Sequence, residues 1–202
     1  MMPATIIGIM SGSSLDGLDM ALCRFEEKNE TISWDILKAQ TIPFPEHLLN
    51  ALNKAPSMSG FDLMQLDADL GKFIGLQIDN WISKNDLTAD YIASHGHTVF
   101  HEPAKGFTTQ IGSGAHIAFE TGIDTITSFR NADVAAGGQG APFAPVADKN
   151  LFPGYKGYIQ PAIISPQCTQ HCPKKGADKH TAAEVACFHW FNHSRNINNC
   201  FR

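Results

Sequence analysis

Between Gly8 and Asp19 the chain reads Gly-Ile-Met-Ser-Gly-Ser-Ser-Leu-Asp-Gly-Leu-Asp, a run of small residues with hydroxyls and two carboxylates. Glycine tolerates the tight backbone that turns successive N–H groups toward an anion. Gly12, Ser13, Ser14, Leu15, Asp16, Gly17, Leu18 and Asp19 are therefore the candidate phosphate cradle, with the two serine hydroxyls as added donors. Asp16 and Asp19 can hold Mg²⁺ directly or through water. Gly12 to Gly17 has the Gly-x-x-x-x-Gly spacing of a P-loop, but Leu18-Asp19 follow where Lys-Ser or Lys-Thr is required. The P-loop reading is rejected, and an ordinary Ser/Gly/Asp hairpin turn stands as the competing one.

His95, His97 and His101 lie close together with Glu102. On a strand, i and i+2 share a face, so His95 and His97 are expected to point the same way. The His-Glu-x-x-His spacing of a catalytic zinc helix is missing, so a loop of locally hydrogen-bonded imidazoles is preferred to a metal site. Arg130 and Asp133 flank an expected turn, followed by small residues from Ala135 to Ala141. A guanidinium is a planar fork of donors that matches a carboxylate; the plainer alternative is an Arg130–Asp133 ion pair holding the turn. Gly137-Gly138-Gln139-Gly140 lets backbone approach a ligand closely. Near the C-terminus, Cys168-x-x-x-Cys172 and His189-x-x-x-His193 approach Cys₂His₂ spacing. The gap between the pairs is longer than in a zinc finger, and the aromatic pattern of a finger is not evident.

Three blocks together carry a family resemblance. The first is the Gly-x-Met-Ser-Gly-Ser-Ser-x-Asp-Gly-x-Asp hairpin. The second is Ser94-His95-Gly96-His97-Thr98-Val99-Phe100-His101-Glu102-Pro103. The third runs from Phe129-Arg130-Asn131-Ala132-Asp133 to Gln139-Gly140-Ala141-Pro142. From about Thr5 to about Phe152 the chain resembles anhydro-N-acetylmuramic acid kinases, with Ser13 where that family usually has Thr. The resemblance implies an α/β, ribonuclease-H-like lobe of the sugar kinase, Hsp70 and actin superfamily, in which two such lobes enclose ATP. The implied reaction, part of peptidoglycan recycling, phosphorylates O6 of 1,6-anhydro-N-acetylmuramic acid while water opens the anhydro ring. It implies ATP, alongside Mg²⁺ on Asp16 and Asp19, and a sugar pocket bordered by His95, His97, Arg130, Asp133 and Gln139. There Arg130 meets the lactyl carboxylate. The family's general-base aspartate sits in a Phe-Asp-x-Gly-Pro-Gly-Asn segment with no counterpart here, so no catalytic base is named. A tendency to homodimers is implied as well.

Those groups need a frame. Thr5–Met10, Leu18–Phe25 and Thr31–Thr41 read as three strands joined by short turns. Glu46–Lys54 reads as a short helix, and Phe61–Ser83 as a longer one. In the latter Leu63, Leu66, Leu70, Phe73, Ile74 and Ile78 form a core face, with Asp62, Asp67 and Asp69 on the solvated side. Asp90–Ser94 reads as a strand, Gly112–Thr121 as a helix capped by Gly122, and Asp124–Thr127 as a last strand. This order also suits a ribonuclease-H-like lobe.

The chain has 202 residues, 43% of them hydrophobic, enough for one good-sized domain. A net charge of −5 argues against general nucleic-acid binding. No apolar run is long enough to span a bilayer, and the N-terminus lacks the basic and apolar regions of a secretory signal. The body holds only Cys23, which predicts a reducing, cytoplasmic setting. Residues 156–202 hold four of the five cysteines and carry about +4, leaving about −9 for the rest. Where the family continues into an Asn-x-Gly-Gly strand, this chain has Tyr158-Ile159-Gln160-Pro161. The expectation is a kinase lobe over 1–155 and a non-family, irregular tail over 156–202, arising from a frameshift or mispredicted exon. Such a truncated form is expected to have little or no kinase activity. The alternatives are a non-catalytic remnant and a zinc-binding interaction protein.

Overall fold

The computed structural model describes residues 3–12, 15–28 and 31–140. Strands β1 (Ala4–Ser11), β2 (Leu18–Lys28) and β3 (Thr31–Ile42) form an antiparallel meander. Helices α1 (Glu46–Lys54) and α2 (Gly60–Asn85) follow, then β4 (Tyr91–Glu102), β5 (Phe107–Ile111), α3 (Gly114–Thr121), β6 (Thr125–Ile126) and α4 (Phe129–Ala135). The sheet order is β3-β2-β1-β4-β5, with β6 also paired to β4. β4 runs parallel to β1 and to β6, so the sheet is mixed.

Period-two alternation gives the sheet two apolar faces. Ile7, Ile9, Met20, Leu22 and Ile92 face the helices, where they meet Leu48 and Leu52 of α1, Leu70, Ile74 and Ile78 of α2, and Ile117 of α3. Ala21, Cys23 and Ala93 form the other face and pack with Phe129 at the start of α4. Helix α2 begins at Ser59, whose hydroxyl oxygen accepts from the Asp62 N–H, and ends at Asp86 in a left-handed conformation. Gly71 and Gly75 give α2 a flat surface on which α3 lies close. No helix of the described residues is long and apolar enough to cross a membrane.

Three sequence expectations are corrected, and one strand is added. The histidine block lies in strand β4, which runs to Glu102, and is not a loop. β5, unread in the sequence, returns alongside it through a turn closed by Gly106 at φ 82°. Residues 129–135 form a helix, not a turn, too short at seven residues to show periodicity. Asp67 is not simply solvated. Its side chain accepts from the Gly112 N–H at 2.7 Å and its carbonyl from the Ser113 N–H at 3.0 Å, which anchors the entry to α3.

Candidate functional site

The site is built at the carboxyl end of β1. The chain leaves Ser11 through a turn closed by the Leu15 N–H donating to the Gly12 carbonyl at 3.1 Å, with Leu15 left-handed at φ 55°. Gly17 is buried, and a Cβ there would lie 2.8 Å from the Ile42 carbonyl oxygen, so only glycine lets this turn pass the end of β3. The Leu18 side chain is fully buried in the core, which leaves only its backbone to a ligand. Asp16 is exposed; Asp19 accepts from the Thr41 hydroxyl at 2.6 Å. Ser13 and Ser14 lie outside the described residues, as does the Cys168–His193 cluster. Among the described residues of this turn, the carboxylates of Asp16 and Asp19 are of the type that suits a magnesium ion.

Beside this turn runs β4. Its pairing with β1 goes from Ile9↔Ser94 to Ser11↔His97, so β4 carries one extra residue at this point. Gly96 sits in the bulge at φ 69°, where a Cβ would collide with the Ile111 carbonyl oxygen. The bulge breaks the simple alternation expected of His95 and His97, and the two imidazoles reach different partners. His97 shares a 3.2 Å hydrogen bond with the Ser11 hydroxyl, and both residues are buried. Burial pushes the His97 imidazole below the ordinary histidine range. His95 meets the Gly96 carbonyl through Nδ1 and receives the Arg130 Nε–H at Nε2, both at 2.9 Å.

Helix α4 and the segment after it complete the constellation. The Asp133 carboxylate accepts from the Gly140 N–H at 2.6 Å and so caps its own loop. Gln139 has an exposed side chain, and its backbone carbonyl bonds His101. His101 also bonds the Thr108 hydroxyl of β5 at 3.2 Å. Burial, and then the Arg130 charge, hold the His101 imidazole low, against opposing effects of Gln139 and Glu102. Among the described residues no group of three or more His, Cys, Asp or Glu could hold a metal ion. His95 with Arg130, His101 with the Gln139 backbone, and Asp133 with Gly140 thus meet around one loop, while His97 ties into the end of β1. Sequence reasoning missed Ser11 and Thr108 as polar partners. Ser11 lies 86 positions from His97, so no local spacing could announce it.

The family model for anhydro-N-acetylmuramic acid kinase matches residues 4–159. Among curated relatives, the anhydro-N-acetylmuramic acid kinase of Acaryochloris marina is 42% identical over 149 residues, covering 71% of this chain and 39% of that protein. The one from Shewanella oneidensis is 40% identical over 158 residues, covering 74% and 42%. The one from Gloeothece citriformis is 37% identical over 159 residues, covering 72% and 40%. The chain thus spans about 40% of the length of the curated relatives it matches. With the three sequence blocks lying inside the matched range, the chain belongs to the anhydro-N-acetylmuramic acid kinase family.

Proposed function

We propose that this chain supplies the phosphate-gripping and sugar-recognising lobe of a kinase that converts 1,6-anhydro-N-acetylmuramic acid to N-acetylmuramic acid 6-phosphate. The lobe comprises residues 1–155, and residues 156–202 are assigned to a non-family tail. An antiparallel meander followed by strands parallel to its first member supports assigning it to the ribonuclease-H-like superfamily. ATP, when bound, supplies the phosphoryl group that O6 of the sugar accepts.

The chain's own residues have distinct tasks. The turn from Gly12 to Asp19 orients phosphate oxygens with backbone N–H groups, and Ser13 and Ser14 add hydroxyls. Asp16 and Asp19 would hold Mg²⁺, whose charge would offset that of the phosphates. Arg130 takes the lactyl carboxylate with its planar donor fork. His97, Asp133 and Gln139 border the sugar. The reading includes a cytoplasmic setting, a role in peptidoglycan recycling and a homodimeric assembly.

The observation that supports it best is the parallel β1–β4 pair. It brings the Gly12 turn and the strand that meets Arg130 to one end of the sheet through the Ser11–His97 bond. Calorimetry on the 202-residue chain with the anhydro sugar and with ATP and Mg²⁺ is the test. Binding of both is expected, with Arg130→Ala weakening the sugar at least about tenfold and leaving the nucleotide alone. Failure to bind either ligand would sink the proposal.

A further inference from the structure

We infer that His95 is a positioning residue: it holds the Arg130 guanidinium in the orientation that receives a carboxylated sugar, and does not itself contact the sugar. The inference rests on the reading of Arg130 as the carboxylate receptor and adds the group that aims it.

Proton accounting carries the argument. His95 is only 6% exposed. A backbone carbonyl can only accept and a guanidinium can only donate. Nδ1, facing the Gly96 carbonyl, must therefore carry the proton, and Nε2, facing the Arg130 Nε–H, must be bare. One neutral tautomer satisfies both contacts. With both ring nitrogens engaged, His95 is poorly placed to serve a sugar hydroxyl, although the family resemblance sets it at the border of the sugar pocket. The two ends of the contact are also fixed in the fold. His95 is held in β4 at the Gly96 bulge, and Arg130 follows Phe129, which is buried against Ala93 of the same strand. Gripping a guanidinium at Nε restricts rotation of its plane, and the plane sets the approach of a bidentate carboxylate.

The test compares two ligands on the full 202-residue chain by calorimetry: 1,6-anhydro-N-acetylmuramic acid, and 1,6-anhydro-N-acetylglucosamine, which lacks the lactyl carboxylate. The unaltered chain is expected to prefer the carboxylated sugar. His95→Leu should cut that preference about tenfold or more, the usual weight of a hydrogen bond to a charged group. His95→Gln, whose amide oxygen can accept near the Nε2 position, should restore most of it. In an Arg130→Ala background, His95→Leu should change nothing further. Equal weakening of both sugars by His95→Leu, or a further loss in that background, overturns the inference. A preference in the unaltered chain that ignores His95 overturns the inference alone; no preference at all overturns the carboxylate reading and the inference with it. Nitrogen-15 NMR of the ring provides a readout that needs no variant. It should show a protonated Nδ1 and a bare Nε2; the opposite tautomer or an imidazolium at neutral pH overturns the inference.

Discussion

Burial opposes the cationic form of the His97 imidazole and holds it below the ordinary histidine range. The unfolded chain feels no such penalty and takes up its proton near the ordinary value of about 6.5. A folded value below the unfolded one means that the unfolded state binds more protons as the pH falls. The contribution of His97 is thus complete above about pH 6.5 and declines as pH drops through the depressed folded value. His101, also held low, contributes with the same sign. Urea midpoints at about pH 7.5 and about pH 5 should therefore differ, and His97→Gln should narrow the difference. An undiminished difference in the variant would show that His97 is not a source of the acid sensitivity. Arg130 gives a second prediction at this scale. Arg130→Lys keeps the charge but loses the fork and its Nε–H, so it should lower affinity for the carboxylated sugar about tenfold, read by calorimetry. Unchanged affinity would reduce the role of Arg130 to that of a point charge.

Elements place these residues by close backbone approach. In an exposed helix interior, replacing glycine by alanine adds about 1 kcal/mol of stability. At Gly71 of α2 the sign should reverse, since the added Cβ would lie 2.5 Å from the Ser113 carbonyl oxygen and 2.8 Å from its nitrogen. Gly71→Ala should cost about 1–3 kcal/mol in urea unfolding as α3 is pushed away. Gly60→Ala, with nothing within 4 Å, should carry no such cost. A stabilised Gly71→Ala chain would mean that the two helices lie farther apart. Gly96→Ala meets both a left-handed φ and the Ile111 carbonyl, so a loss of about 1–3 kcal/mol is expected there too. Loss of the bulge would also shift His97 against Ser11.

On the scale of the molecule, phosphoryl transfer depends on positioning and electrostatics within a closed cleft. The 202-residue chain spans about 40% of the length of its curated relatives. We therefore expect an ATP-coupled assay of this polypeptide to give little or no turnover with the anhydro sugar. Turnover in the ordinary enzyme range of about 1–10³ s⁻¹ would refute this and point to a base within the chain.

Sequence alone determined the elements whose causes are local. The isoleucine-rich start makes β1, and the spacing of Leu66, Leu70, Ile74 and Ile78 makes α2. These depend on neighbours within a few positions, which is the range over which periodicity and turn chemistry act. Tertiary structure decided which polar groups answer one another: Ser11 with His97, Arg130 with His95, Asp67 with Gly112, at separations of 86, 35 and 45 residues. It also decided that the histidine block is a bulged strand and that a short helix, not a turn, carries Arg130. Hydrogen bonds across such separations depend on sheet order and helix packing, which no local spacing encodes.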